Sequence, residues 1–267
     1  MSISNGNRLE WAYRAVSVDH YGALGDHPKI QELGRCDKDI YEKAEKGLAL
    51  IHKMGYDIST TRHTSESKRS GNEPKSDLLI DGMGVSIKMP GVIQLSSAEG
   101  GTTSRQINLV LDEMESEGMS VDRFRETSAI IKNTPTKMID GTKQLNIDKV
   151  RSRKPKIYEQ MVANGKVRPE YDASLWDAHN KQELKERICE LFDNRTFQNK
   201  FVEELLTGKR IYENDNSKIA THISTPEGFD EINQKYIEKI ATKVKPDVRK
   251  KSRAGVSSVT FRFDLKL

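Results

Sequence analysis

Lys75-Ser76-Asp77-Leu78-Leu79-Ile80-Asp81-Gly82-Met83-Gly84-Val85-Ser86-Ile87-Lys88 is the stretch that decides how this chain is read. Two short apolar runs, Leu78-Leu79-Ile80 and Val85-Ser86-Ile87, flank a Gly-containing turn, which is the pattern of a β-hairpin. Asp77 opens the first strand and Lys88 closes the second. Side chains alternate along a strand, so Ser86 and Lys88 share a face. A carboxylate and an ammonium carried to the ends of paired strands can hold a divalent cation and an attacking water, the equipment of metal-assisted hydrolysis. The blander reading of the same residues is a strand-edge Asp and a surface Lys.

Outward from the hairpin, apolar spacing places the other elements. Arg8 to Val18 has helical periodicity through Leu9, Trp11, Ala12, Ala15 and Val16, with Asn5 or Asn7 as cap. A Gly-, His- and Pro-containing loop runs from His20 to Gly34. Asp37 to Met54 is a second helix, with Ile40, Tyr41, Ala44, Leu48 and Ile51 on one face and Gly55 as its stop. Tyr56 to Thr61 reads as a first strand and His63 to Lys75 as a mobile polar loop. After the hairpin of residues 77–90, Thr102 to Glu117 reads as a helix stopped by Gly118. From Asp37 the order is therefore helix, strand, strand, strand, helix, and spacing alone gives a mixed α/β (α+β) class.

The second half differs in character. Residues 122–170 are rich in Lys and Arg and broken by Pro135, Pro155 and Pro169. Residues 177–207 read as helical, Phe229 to Val244 as another amphipathic helix, and Ser257 to Leu265 as a period-two strand. Two basic runs are candidate contacts to a nucleic-acid backbone: Lys149, Arg151, Arg153 and Lys154 in the first, and Arg249, Lys250, Lys251 and Arg253 in the second. A charge run is more commonly just a solvated face, and neither run reads bases.

At Asp77 and Ser86-Ile87-Lys88, and in the element order of residues 37–118, the chain resembles the PD-(D/E)XK nuclease superfamily of restriction- and phage-type endonucleases. The resemblance implies an αβββαβ core with a helical, basic C-terminal extension. Residues 1–120 would hold the nuclease-like core with its N-terminal helix. Residues 121–267 would form a mostly helical basic region whose last strand returns to the core sheet. The implied activity is Mg²⁺-dependent hydrolysis of DNA, with Mn²⁺ as a substitute. Asp77 would bind the metal, and Lys88 would stabilise the charge on the attacked phosphate or orient the water.

Ser86 departs from the family pattern, which puts Asp or Glu two residues before the lysine. Serine carries no charge, so a second carboxylate has to come from elsewhere. Glu10, in a Gly6-to-Glu10 segment similar to the Gly-x-x-x-Glu start of resolvase-like members, and Glu45, on the helix before the first strand, are the candidates. Each also reads as an ordinary solvated helix-face Glu. Gln94, behind the lysine strand, could hydrogen-bond a ligated water or a phosphate. Gly100-Gly101-Thr102-Thr103 enters a helix whose free amides could attract phosphate, or is simply a capped loop. Ser86 also keeps open a second reading, a catalytically inactive nuclease-derived protein that binds DNA or DNA ends. Sequence-specific cleavage of a duplex would call for a symmetric homodimer, but no segment identifies an interface.

The bulk numbers narrow the field. The 267 residues carry a net charge of +4 and 35% hydrophobic residues, and mean hydropathy is −0.71. That permits nucleic-acid binding without demanding it. Two distant cysteines, Cys36 and Cys189, make neither a disulfide framework nor metal-type spacing. The six histidines form no His-x-x-x-His pair, and no P-loop, dinucleotide fingerprint or Gly-x-Ser-x-Gly elbow occurs. No apolar run is long enough to span a bilayer and no signal peptide is evident, so a soluble, intracellular, cytoplasmic protein is expected.

Overall fold

The structure, a computed structural model, describes residues 4–66, 74–134, 138–139, 154–163, 178–253 and 256–266. It is a mixed α/β protein with two sheets. By the density of its contacts the chain divides into two units. The first comprises residues 1–93, 202–243 and 265–267, and the second residues 94–201 and 244–264. The boundary expected at residue 120 does not coincide with this division, because both units are assembled from segments distant in sequence.

The first unit begins with helix α1 (Asn5–Tyr21), capped by Ser4, whose hydroxyl accepts the Asn7 N–H at 3.3 Å, and ended by Gly22 at φ 73°. Helix α2 (Lys38–Lys53) is capped by Asp37, which accepts the Ile40 N–H at 3.2 Å. Both helices extend close to their expected limits. Tyr56 to Thr61, expected as a strand, is instead a 3-10 turn at Ile58–Thr60, and the first strand, β1 (Arg62–His63), follows it. The reason is local. Asp57 accepts both the N–H and the hydroxyl of Ser59, and the hydroxyls of Thr60 and Thr61 donate back to the carbonyls of Asp57 and Ile58. Such side-chain bonds give the backbone an alternative to a ladder.

The hairpin forms as read. Strands β2 (Leu78–Ile80) and β3 (Met83–Ile87) pair antiparallel with Leu78 opposite Val85 and Ile80 opposite Met83. Asp81 (φ 51°) and Gly82 (φ 77°) are its two turn residues, both in the left-handed region that a two-residue I′ turn demands. β1 adds antiparallel to β2. On the far side, β3 pairs in parallel with β6 (His222–Thr225), and β6 pairs antiparallel with β7 (Gly228–Glu231), giving the order β1-β2-β3-β6-β7. The helix, three antiparallel strands and parallel fourth strand of the expected core are thus all present. The fourth strand comes from residue 222 onward, not from the C-terminal strand expected to return to the core sheet.

Alternation divides this sheet into two faces. Leu78, Ile80, Val85 and Ile87 pack with Leu9, Ala12, Tyr13, Ala44, Leu48 and Ile51 of α1 and α2. The Tyr13 hydroxyl reaches Ser224 Oγ at 3.1 Å from the same side. Ser86, Ile223 and Thr225 therefore look the other way.

The stretch 177–207, expected as one helical run, contains a break at Asp193-Asn194. Asn194 accepts the Phe197 N–H at 2.9 Å and starts a new helix. Phe229 to Val244, expected as one helix, is β7, a shorter helix capped by Asn233, and the start of another strand. Ile232, Tyr236, Ile237 and Ile240 have helical spacing, but Gly228-Phe229-Asp230-Glu231 hydrogen-bonds to β6.

In the second unit, helix α3 (Gly100–Ser116) packs on α4 (Asp122–Asn133), where the Ser104 and Ser128 hydroxyls meet at 2.8 Å. Among the described residues three more helices follow: α5 (Pro155–Ala163), α6 (Ala178–Phe192) and α7 (Arg195–Thr207); the division between units falls within α7. The second sheet has the order β4-β9-β5, with β8 also paired to β9. Its strands are β4 (Val92–Ala98), β5 (Met138–Ile139), β8 (Val244–Arg253) and β9 (Val256–Lys266). The C-terminal strand therefore joins this sheet and does not return to the five-stranded one. A cluster of Phe192, Phe197, Phe201 and Phe263, with ring centroids 5.1–6.1 Å apart, fills its core. The remaining helix, in the first unit, is α8 (Gln234–Ala241).

Candidate active site

Asp77 sits one residue before β2, where its N–H donates to the Val85 carbonyl at 2.9 Å, next to Ser86. Three donors converge on one oxygen, Asp77 Oδ2: the Ile87 N–H at 2.7 Å, Ser86 Oγ at 3.1 Å and Lys88 Nζ at 3.3 Å. Asp77 Oδ1 takes no bond from the described residues. The carboxylate and the ammonium are 17% and 25% exposed, so the pair is partly screened yet open to a ligand.

Both carrier segments are pinned by main chain. The Thr64 N–H donates to the Asp77 carbonyl at 3.1 Å, Ser76 Oγ donates to the Ser217 carbonyl at 2.8 Å, and the Lys75 N–H donates to the Lys218 carbonyl at 2.9 Å. The Lys88 N–H donates to the Ser224 carbonyl at 2.9 Å, which extends the β3–β6 ladder by one residue and sets Lys88 beside Thr225. Pre-organisation of this kind is what a hydrolytic site requires.

The structure brings Asp77, Ser86 and Lys88 together, as the sequence pattern requires. Glu10 lies against His63, its carboxylate 3.9 Å from Nε2. His63 stands opposite Leu78 and stacks on Trp11, ring centroids 4.0 Å apart, so Glu10 belongs to the α1 side of the sheet, whereas Ser86 faces away from α1. Glu45 pairs with His20 at 3.1 Å. His20 is ten residues along α1 from Glu10, about 15 Å at 1.5 Å per residue. The two candidate helix carboxylates thus sit toward opposite ends of α1, and Glu45 is not brought to the hairpin. Gln94 is exposed on β4, in the second unit.

Of the basic candidates, Lys149, Arg151 and Arg153 lie outside the described residues. Lys154 is exposed just before α5, and Arg249 on β8 pairs with Asp247 at 3.2 Å. Lys250, Lys251 and Arg253 fall on β8.

Two charged groups beside the site carry no local signal strong enough to be noticed in the sequence. The stem of Lys75 lies against Gly208, just past the C-terminus of α7, so closely that a Cβ there would come within 2.7 Å of its Cγ. Burial first, and then the Lys88 ammonium, push the Lys75 ammonium down to about 8, against the opposing pull of Glu204 and Asp77. Glu204, on α7, is fully buried and accepts the N–H groups of Arg210 at 2.8 Å and Ile211 at 3.3 Å. Burial raises its carboxyl above the usual range despite those bonds and the Arg210 guanidinium. Lys75 stands two residues before Asp77, and only the pairing of distant segments brings Glu204 to Lys75. The alternation of Lys75 with Asp77 was the single available hint.

Among the described residues no three His, Cys, Asp or Glu side chains gather into a group that could hold a metal ion. No helix among them is long and apolar enough to cross a membrane. No protein-family model matches the chain, and no curated protein matches it. Among solved structures, the chain is similar to the restriction endonuclease MspI in complex with its cognate DNA. The match has 12% identity over 87% of this chain and 83% of that one, at a TM-score of 0.37.

Proposed function

We propose that this chain hydrolyses phosphodiester bonds of DNA with the help of a divalent cation, as an endonuclease. The observation that carries the reading is the meeting of Asp77 and Lys88 across the β2–β3 hairpin, with Lys88 Nζ 3.3 Å from Oδ2 and Oδ1 left open. A hard cation such as Mg²⁺ takes one or two carboxylate oxygens and completes its shell with water and phosphate oxygens. Asp77 Oδ1 fits that role. When bound, the cation would supply an acidified water and charge neutralisation.

The chain's own residues do the rest. The Ile87 N–H and Ser86 Oγ fix the orientation of the Asp77 carboxylate. Lys88, tethered through its N–H to Ser224, holds a positive charge where the attacked phosphate would build up negative charge. The hairpin, buried on its other face against α1 and α2, keeps the groups in register.

A second reading has its own observation. Ser86 Oγ donates to Asp77 where the family pattern supplies another carboxylate. A protein that binds DNA without cutting it would tolerate that exchange. Incubation of the purified protein with supercoiled plasmid in Mg²⁺, Mn²⁺ and EDTA separates the two. Metal-dependent nicking that disappears in Asp77→Asn and Lys88→Ala supports hydrolysis. Salt-sensitive retention of intact DNA supports binding alone.

A further inference from the structure

The face of the sheet that carries Ser86 and Lys88 continues directly into a basic cavity. Ile223 is the ladder partner of Ser86, and Thr225 is the lateral neighbour of Lys88. Both side chains point away from α1 and α2, and both line a cavity of about 140 Å³ completed by Gly228 and Asp230 of β7 and by Tyr236, Lys239, Ile240 and Lys243. That is far more than the roughly 10–15 Å³ one water needs. Neither Lys239 nor Lys243 forms an ion pair among the described residues, and both are exposed. Lys239 lies in the last turn of α8, and Lys243 lies past its C-cap Thr242, immediately before β8. Burial raises the phenol of Tyr236 to about 12, so its O–H stays a hydrogen-bond donor at neutral pH. Asp230, also on the rim, is the one group that opposes an anion.

We infer that this cavity is a subsite for a backbone phosphate of the nucleic-acid substrate, next to the phosphate addressed by Asp77 and Lys88. Lys239 and Lys243 supply the charge and Tyr236 a neutral donor. The step from β3 to β6, about 4.8 Å, is on the scale of the spacing of charges along one strand of DNA, at least ~3.4 Å per phosphate. The subsite thus sets the register of the strand across Lys88. This inference rests on the proposal that the substrate is DNA.

The test is fluorescence-anisotropy titration of a labelled 20-base-pair duplex in EDTA at several salt concentrations. It compares wild type, the double variant Lys239→Ala/Lys243→Ala, and Lys53→Ala, an exposed lysine at the end of α2, a helix that covers the opposite face of the sheet. The double variant is expected to lower the slope of log affinity against log salt by about 1, the loss of one phosphate contact, while Lys53→Ala leaves the slope unchanged. Equal effects of both variants, or no effect of the double variant, overturn the subsite. Because EDTA removes cleavage from the readout, a protein that binds DNA with the expected slopes but never cuts it loses the hydrolytic proposal and keeps the subsite. Normal cleavage with an unchanged slope does the reverse. Wild type that retains no DNA sinks both.

Discussion

Ser86 donates its hydroxyl to Asp77 Oδ2 across 3.1 Å, at a position only 3% exposed. A neutral donor here steadies the carboxylate without adding charge. Ser86→Asp replaces that bond with a second carboxylate, and two carboxylates held this close repel. In EDTA the variant is expected to lose about 1–3 kcal/mol, the cost of a broken bond to a charged group, seen as a drop of several degrees in melting temperature. Millimolar Mn²⁺ should then raise its melting temperature well above any shift in the wild type, because a ligand held by the native state alone stabilises it. Thermal melts with and without metal decide the matter. A Ser86→Asp protein indifferent to metal shows that the two positions cannot chelate together.

Lys88 contributes little to stability and much to turnover. Its ion pair with Asp77 is partly solvated, so Lys88→Ala should shift the urea midpoint only slightly, within about 1 kcal/mol. If Lys88 offsets charge on the attacked phosphate, the same variant should slow plasmid nicking about 10²–10³-fold, the usual consequence of removing one such donor. Rates measured at saturating DNA test this, and loss of activity accompanied by equally large unfolding would point to a structural role instead.

The hairpin was legible because everything that makes it is local. Asp81-Gly82 sets the turn, alternation sets the faces, and Asp77 and Lys88 close the ends. The helices of residues 5–21 and 38–53 were legible for the same reason, through their spacing, although Ser4 caps the first where Asn5 or Asn7 was expected. What stayed hidden depends on distant pairing. The parallel partner of β3 lies more than 130 residues downstream, and β7 reads as the start of a helix until β6 pairs with it. Lys75 and Glu204 become neighbours only through that closure, and Glu10 and Glu45 separate only once Glu10 near the start of α1 is seen to meet His63 of β1 while Glu45 meets His20 near its end.

Lys75 makes stability depend on pH in an identifiable window. Burial and the Lys88 ammonium hold its folded pKa at about 8, below the unfolded value near 10.4. Between those values the unfolded chain binds a proton that the native chain has released, so stability rises as pH increases from about 8 to about 10. Below pH 8 both states are charged and the full cost of the buried ammonium is felt. Lys75→Met, which keeps the apolar stem, should therefore be more stable than wild type at pH 7, and the difference should shrink by pH 10. Urea unfolding of both proteins at pH 7, 8, 9 and 10 measures the convergence. A difference that stays constant with pH removes Lys75 from this role.

Gly47 tests how α1 and α2 are seated on the sheet. A Cβ at this position would lie 1.7 Å from the Tyr13 hydroxyl and 2.4 Å from its Cζ, in a ring that is fully buried. In an isolated helix, Gly→Ala gains about 1 kcal/mol from propensity. Here the added methyl must push Tyr13 off α2 and break its bond to Ser224, the residue whose carbonyl holds Lys88. Overpacking of this kind costs about 1–3 kcal/mol, so Gly47→Ala should be net destabilising despite the better helix former. The disturbance should also reach the hairpin, lowering cleavage more than Lys53→Ala, which changes the same helix at its exposed end. Denaturation midpoints and nicking rates of the two variants, measured side by side, give the answer. A Gly47→Ala protein as stable as wild type would mean that Tyr13 does not pack between α2 and β6 in solution.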